Sequence, residues 1–94
     1  SEPPRFVGRG GEKIDPVFDE FGVDPAGLVA VDIGSSTGGF TDVLLKRGAK
    51  RVYAVDVGTN QLDYRLRVEP RVTVMEQQNA KDLTPEHFPE PPQL

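Results

Sequence analysis

An apolar run that leads directly into a glycine-rich loop is the feature that most constrains the fold of this chain. Residues 28–33 (Leu-Val-Ala-Val-Asp-Ile) are almost continuously apolar, which is typical of a strand buried on both faces of a parallel sheet. Residues 34–39 (Gly-Ser-Ser-Thr-Gly-Gly) follow at once, and a helical pattern with Phe40, Val43 and Leu44 on one face comes next. Strand, tight turn and helix in this order predict the start of a strand–helix–strand unit.

The next segments repeat this alternation. Residues 51–57 form a second apolar run, residues 60–68 show helical spacing that Pro70 must end, and residues 72–75 predict a third, shorter strand. Strands that alternate with helices favour a parallel sheet with right-handed crossovers. The expected fold class is therefore α/β, with three layers and a parallel sheet of about three strands.

The ends of the chain are less regular. Residues 1–14 are polar and glycine-rich and predict a loop, and Asp15-Pro16 predicts the start of a helix that ends at Gly22. Thr84-Pro85-Glu86 predicts a single helical turn, and residues 89–94 form a proline-rich tail without a core pattern. We therefore expect one half-domain over residues 15–88, between a loop and a tail.

Three strands make only half of a doubly wound sheet. The first strand of such a sheet normally lies in the middle, beside a fourth strand. With three strands the most apolar strand would be an edge, which invites pairing with another chain. We expect either a truncated protein or an edge that is covered by a second copy of the chain.

Composition excludes several classes of protein. The net charge of −4, from 11 basic and 15 acidic residues, argues against RNA or DNA affinity that resides mainly in this piece. The absence of cysteine and the single histidine, His87, argue against disulfides and a zinc cluster. No apolar run approaches the ~20 residues of a membrane-spanning helix, and there is no signal segment, so a cytoplasmic protein is expected.

The glycine loop differs from the dinucleotide fingerprint G-x-G-x-x-G. Ser36 stands where the second glycine would make room for a pyrophosphate, which argues against a nicotinamide-type dehydrogenase fragment. S-adenosylmethionine has no pyrophosphate. Its ammonium could face Asp32, directly or through water, and its carboxylate could face the N–H groups of the helix start, where Gly38 and Gly39 allow close approach.

Polar residues also follow the other two strands. Asp56 could accept hydrogen bonds from both ribose hydroxyls, and Asn79 could meet the adenine edge, with Asp82 a weaker candidate. In the alternative interpretation these acids only cap loops and the glycines only make turns. The predicted cofactor site comprises Asp32, Gly34, Ser35, Ser36, Thr37, Gly38, Gly39, Phe40, Asp56, Val57, Asn79 and Ala80.

Residues 31–42 (Val-Asp-Ile-Gly-Ser-Ser-Thr-Gly-Gly-Phe-Thr-Asp) and 47–58 (Arg-Gly-Ala-Lys-Arg-Val-Tyr-Ala-Val-Asp-Val-Gly) resemble the hemolysin-A-like (TlyA-type) RNA methyltransferases, which are related to the FtsJ group. The resemblance extends over about residues 7–92. It implies a Rossmann-like fold, S-adenosylmethionine as cofactor and methyl transfer to a ribose 2′-hydroxyl of ribosomal RNA. It also implies a cofactor-binding half that is inactive alone.

The resemblance implies one catalytic residue, Lys13, which follows an Arg-Gly-Gly element as the first lysine of the family's Lys-Asp-Lys-Glu tetrad does. The other three members would lie beyond Leu94. The family's RNA-binding S4-type module has no counterpart, so RNA would be bound through the full-length protein. The chain departs from the family at Thr59-Asn60, where an aromatic–glycine pair is usual, which puts ring packing on the adenine in doubt. A non-catalytic module that pairs through an open sheet edge is the alternative, and nothing in the sequence favours pore formation despite the hemolysin name.

Overall fold

The structure is a computed structural model that describes Asp19, Glu20 and residues 22–94. Its elements are strand β1 (Val29–Ile33), helix α1 (Gly39–Lys46), strand β2 (Arg51–Val55), helix α2 (Tyr64–Arg67), strand β3 (Val72–Met75) and two 3-10 turns (Ala80–Asp82 and Pro85–His87). Of the predicted first helix, Asp19 and Glu20 are helical. The start of that helix, the 1–14 loop and Lys13 lie outside the described residues.

The three strands form one parallel sheet in the order β1-β2-β3, which confirms the predicted α/β class. Ile33 of β1 is level with Val55 of β2, and Val55 is level with Met75 of β3. The carboxyl ends of all three strands therefore meet at one edge of the sheet. This is the edge at which open α/β sheets bind ligands.

The middle strand, β2, alternates between two apolar layers. Val52 and Ala54 pack with α1 and α2 on one face, whereas Tyr53 and Val55 pack on the other face with residues that include Phe88. Side chains of a strand point alternately to opposite faces, and both faces of this strand are covered. That burial explains why residues 52–55 of this strand form a continuous apolar run.

Helix α2 is shorter than the predicted 60–68. It spans Tyr64–Arg67 because Asp63 is its N-cap, with a carboxylate that accepts a hydrogen bond from the backbone N–H of Arg65 at 2.9 Å. Asn60 has a left-handed backbone with φ of 56°, which a helix excludes. Strand β2 likewise ends at Val55 rather than at residue 57, because the chain turns at Asp56 and Gly58.

The proline-rich tail packs on the sheet although its sequence has no core pattern. The Tyr53 hydroxyl donates to the backbone oxygen of Glu90 at 2.9 Å, and the Glu90 carboxylate pairs with Lys50 at 2.5 Å. Further on, the N–H of Gln93 donates to the oxygen of Val29 at 2.7 Å. The N–H of Val31 donates to the oxygen of Leu94 at 3.1 Å. The tail therefore occupies backbone groups on the edge of β1 that was expected to be open.

Candidate functional site

The glycine loop after β1 is anchored to the end of β2. The N–H groups of Gly34 and Ser35 both donate to the oxygen of Val55, at 2.8 and 3.0 Å. Gly34 has a φ of 73°, a conformation in which glycine is favoured, and a Cβ atom there would meet nothing within 4 Å. The loop therefore starts with an open, unobstructed backbone at the carboxyl end of the sheet.

Asp56 joins the loop after β1 to the loop after β2. Its carboxylate accepts a hydrogen bond from the N–H of Ser36 at 2.6 Å and from the N–H of Gly58 at 2.9 Å. These backbone bonds, that from Gly58 first, hold the pKa of the Asp56 carboxyl below its usual value. Asp56 is therefore a partly exposed anion at the strand ends.

Asp32 lies deeper than Asp56 and is only 4% exposed. Its carboxylate accepts a hydrogen bond from the hydroxyl of Thr41 at 2.8 Å. Burial raises the pKa of the Asp32 carboxyl, the bonds from Thr41 oppose that shift, and the nearby charge of Asp56 adds to it. The structure thus directs Asp32 toward helix α1.

Gly38 is required by packing inside the chain. Its φ is 105°, and a Cβ atom there would lie 2.2 Å from Cδ1 of Leu66 and 2.8 Å from Cδ1 of Leu62. The N–H of Asp63 also donates to the oxygen of Thr37 at 3.0 Å. Gly38 was expected to give a ligand access to the helix start; in the structure the side of Gly38 that a Cβ atom would occupy faces Leu66 of α2 and Leu62 just before it.

The loop after β3 lies beside the loop after β2. The N–H of Gln78 donates to the backbone oxygen of Asp56 at 3.0 Å. Asn79 and Ala80 follow and are exposed, and Val57 is 69% exposed. The side-chain oxygen of Asn79 caps the first 3-10 turn by accepting from the N–H of Lys81 at 3.2 Å. Asp32, Asp56, Val57, Asn79 and Ala80 therefore lie along the same edge of the sheet as the glycine loop.

Sequence reasoning missed two features of this edge. Glu76 accepts two hydrogen bonds from the guanidinium of Arg67, both at 2.8 Å, and also bonds the N–H of Asn60, which fixes the loop after β2. Thr41 donates its hydroxyl to Asp32, and the sequence indicates the need for such an acceptor only indirectly. A helix that begins at a glycine has no capping side chain of its own, so an acceptor must come from elsewhere.

The described residues contain neither a metal-binding cluster nor a membrane-spanning helix. Among residues 19, 20 and 22–94, no group of three or more His, Cys, Asp or Glu side chains could hold a metal ion. Within the same residues, no helix has the length and apolar character needed to cross a membrane.

Known proteins resemble this chain in sequence over most of its length. The family model for FtsJ-like methyltransferases matches residues 6–94. Hemolysin A of Brachyspira hyodysenteriae is 55% identical over 84 residues, which are 89% of this chain and 35% of that protein. The 16S/23S rRNA (cytidine-2′-O)-methyltransferase TlyA of Mycobacterium tuberculosis is 51% identical over 81 residues, 86% of this chain and 30% of that protein.

A solved structure gives the same fold. The "putative hemolysin" of Lactococcus lactis is 49% identical and superposes with a TM-score of 0.90, over 95% of this chain and 43% of that one. The chain spans about a third of the length of the curated relatives named above. Since the family model covers nearly all of the sequence and the three-stranded parallel fold is shared, this chain belongs to the FtsJ-like methyltransferase family.

Proposed function

We propose that this chain is the cofactor-binding half of an RNA ribose 2′-O-methyltransferase that uses S-adenosylmethionine. The observation that carries the proposal is Asp56, which joins three loops: its carboxylate accepts from the loops after β1 and β2, and its backbone oxygen accepts from Gln78 of the loop after β3. The substrate class, ribosomal RNA, rests on similarity to the relative named a 16S/23S rRNA (cytidine-2′-O)-methyltransferase. A cytoplasmic location follows from that substrate.

Asp56 fits the ribose of the cofactor. A carboxylate has about four lone-pair sites, and the N–H groups of Ser36 and Gly58 take two of them. The backbone N–H of Val57 also lowers the pKa of this carboxyl, and the remaining lone-pair capacity is available to the ribose hydroxyls. Because its pKa is lowered, the carboxylate stays ionised, and bonds to an ionised acceptor are stronger than neutral ones.

Apolar surface beside Asp56 fits the adenine. Val57 is 69% exposed and Ile33 is 51% exposed, although both side chains are apolar. Binding pockets combine such surface with a few polar groups that fix orientation. In the proposal Val57 and Ala80 contact the adenine ring and Asn79 meets its polar edge.

The glycine loop would receive the methionine end of the cofactor. Gly34 has open space beside its backbone, and Ser36 and Thr37 are exposed. Asp32, with 4% exposure, would act on the ammonium by its charge or through a water molecule. Ser35, Gly38, Gly39 and Phe40 complete the predicted set, and one N–H of the helix start, that of Thr41, already interacts with Asp32.

When bound, the cofactor supplies the methyl group, and the residues of this chain hold and orient it. Lys13, which lies outside the described residues, would orient or deprotonate the ribose hydroxyl that accepts the methyl group. A chain with one member of the expected tetrad should transfer little by itself. The tail already occupies part of the edge of β1, so self-association through that edge is not the function we favour.

Calorimetric titration of the chain with S-adenosylmethionine, with NAD in parallel, tests the proposal. Asp56→Asn should weaken binding of the methyl donor about 10–100-fold, as expected from a charge-assisted hydrogen bond of about 1.5–3 kcal/mol. Asp24→Asn is the matched control: Asp24 is also an exposed carboxylate that accepts a backbone N–H, at 3.0 Å, but it precedes β1 at the opposite edge of the sheet. Equal binding of NAD, or no binding of either cofactor by a folded sample, would refute the proposal.

A further inference from the structure

Helix α1 begins at a residue that cannot cap it. Its N-cap is Gly38, which has no side chain and makes no side-chain cap hydrogen bond. The first N–H groups of a helix have no partner within the helix and need an acceptor from elsewhere. A serine, threonine, aspartate or asparagine at the N-cap usually provides it, but a Cβ atom at Gly38 would collide with Leu66.

The acceptor comes from the preceding strand. The carboxylate of Asp32 accepts a hydrogen bond from the hydroxyl of Thr41, the third residue of the helix. Burial raises the pKa of that carboxyl, and the backbone N–H of Thr41 helps to lower it. Asp32 is 4% exposed and Thr41 is fully buried. A negative charge near the N-terminus of a helix is also favoured by the helix dipole. Asp32 thus performs at a distance the task that Gly38 cannot.

The same pair closes the glycine loop. Asp32 precedes the loop and Thr41 follows it, so the 2.8 Å bond between their side chains ties its two ends together. Asp42, the buried acid of the helix itself, pairs its carboxylate with Lys46 one turn later at 2.6 Å. The Thr41 hydroxyl is therefore the side-chain donor that holds Asp32 in its capping position.

We propose that Thr41 is a positioning residue: its hydroxyl fixes the Asp32 carboxylate as a remote cap of α1 and thereby sets the shape of the 34–39 loop. The inference rests on the proposed function, in which that loop receives the methionine end of the cofactor. Thr41 itself is fully buried, so its role would be exerted through Asp32. A threonine that only filled space would be replaced equally well by valine, which has nearly the same shape.

Three variants of the whole chain test this. Thr41→Ser keeps the hydroxyl, Thr41→Val keeps the shape, and Thr73→Val is the control because the Thr73 hydroxyl accepts from Arg51 at 2.9 Å on strand β3, outside the site. Two quantities are measured: hydrogen exchange of the loop amides by NMR and affinity for S-adenosylmethionine by calorimetry. Loss of a hydrogen bond to a charged group corresponds to about a 10–100-fold change in either quantity.

We expect Thr41→Val to show that change in loop exchange and in affinity, and Thr41→Ser and Thr73→Val to stay within about threefold of the wild type, less than the loss of one neutral hydrogen bond. Equal exchange in Thr41→Val and Thr41→Ser would overturn the proposal, and so would unchanged affinity in Thr41→Val. If Thr41→Val fails to fold, Asp32→Ala replaces it because alanine removes the acceptor altogether, and unchanged loop exchange in that variant would overturn the proposal. A wild type that does not bind the cofactor, with the exchange difference intact, would count against the proposed function and not against the cap.

Discussion

Replacing Gly38 with alanine should destabilise this fold more than the same change at other glycines with a positive φ. Two costs add at Gly38. Its φ of 105° is unfavourable for any residue with a Cβ atom, and the new atom would lie 2.2 Å from Leu66 and 2.8 Å from Leu62. Both leucines are buried, at 3% and 6% exposure, so neither has free room to move away.

The two costs have different magnitudes. A left-handed backbone costs an L-residue about 1–2 kcal/mol. Overpacking a filled core costs about 1–3 kcal/mol more. We therefore expect Gly38→Ala to lower the free energy of unfolding by about 2–5 kcal/mol, a large part of the ~5–15 kcal/mol of a typical small domain.

Gly48→Ala separates the two costs. Gly48 has a φ of 89°, but a Cβ atom there would only make ordinary contacts with Ala26 at 3.6 Å. Gly48→Ala should therefore lose only the free energy of the left-handed backbone. Gly38→Ala also loses the overpacking energy of about 1–3 kcal/mol and should melt about 4–20 °C below Gly48→Ala. The assay is thermal and urea unfolding followed by circular dichroism, with the urea slope checked for constancy.

A double-mutant cycle locates the collision. Leu66→Ala alone should cost about 2–5 kcal/mol because it leaves a cavity. In the Gly38→Ala background, Leu66→Ala should cost less by most of the overpacking energy, since this substitution removes Cδ1 of Leu66, the atom nearest the new Cβ atom. Equal melting temperatures for Gly38→Ala and Gly48→Ala, or strict additivity in the cycle, would show that the reasoning is wrong.

Three further predictions concern charge and the tail. Hydrogen bonds from Arg67 are the largest cause of the lowered pKa of Glu76, so its ionised carboxylate stabilises the fold above the ordinary value of 4.5 and this contribution is lost as the pH falls below it. Glu76→Gln should therefore reduce the fall of the urea midpoint at acid pH, measured in a pH titration. Burial raises the pKa of Asp32, so ionisation of this carboxyl destabilises the fold as the pH rises above the ordinary 3.8. In the same titration, Asp32→Asn should remove this pH dependence of stability, whose sign is opposite to that of Glu76. Tyr53→Phe should cost about 0.5–1.5 kcal/mol and speed hydrogen exchange at Gln93, because the hydroxyl holds Glu90 of the tail, whereas Tyr64→Phe at 74% exposure should change neither.

The strands and their order along the chain could be predicted because strands that are buried on both faces consist of continuous apolar runs. The three apolar runs became β1, β2 and β3 with small changes at their ends. The acids followed from the same logic, since a residue at the carboxyl end of one parallel strand must lie near its counterpart on the next. Asp32 and Asp56 are accordingly found at one edge of the sheet.

What a side chain contacts could not be predicted in the same way. The glycine of the helix start suggested access for a ligand, and only the position of Leu62 and Leu66 shows that the chain itself fills that space. The tail lacks periodicity, yet Glu90 holds it through Lys50 and Tyr53, which are distant in sequence. Such contacts depend on how elements meet in space, and no local pattern encodes them.

The contacts that the sequence did not reveal have one consequence in common. Val55 fixes the start of the glycine loop, Asp56 fixes Ser36, and the N–H of Asp63 fixes Thr37. The Asp32–Thr41 pair then ties the two ends of the loop together. Every one of these partners belongs to the chain, so the loop is ordered by folding. A cofactor that binds an ordered loop avoids the entropic cost of ordering it, and for that reason variants that release these anchors should weaken binding even where they touch no ligand.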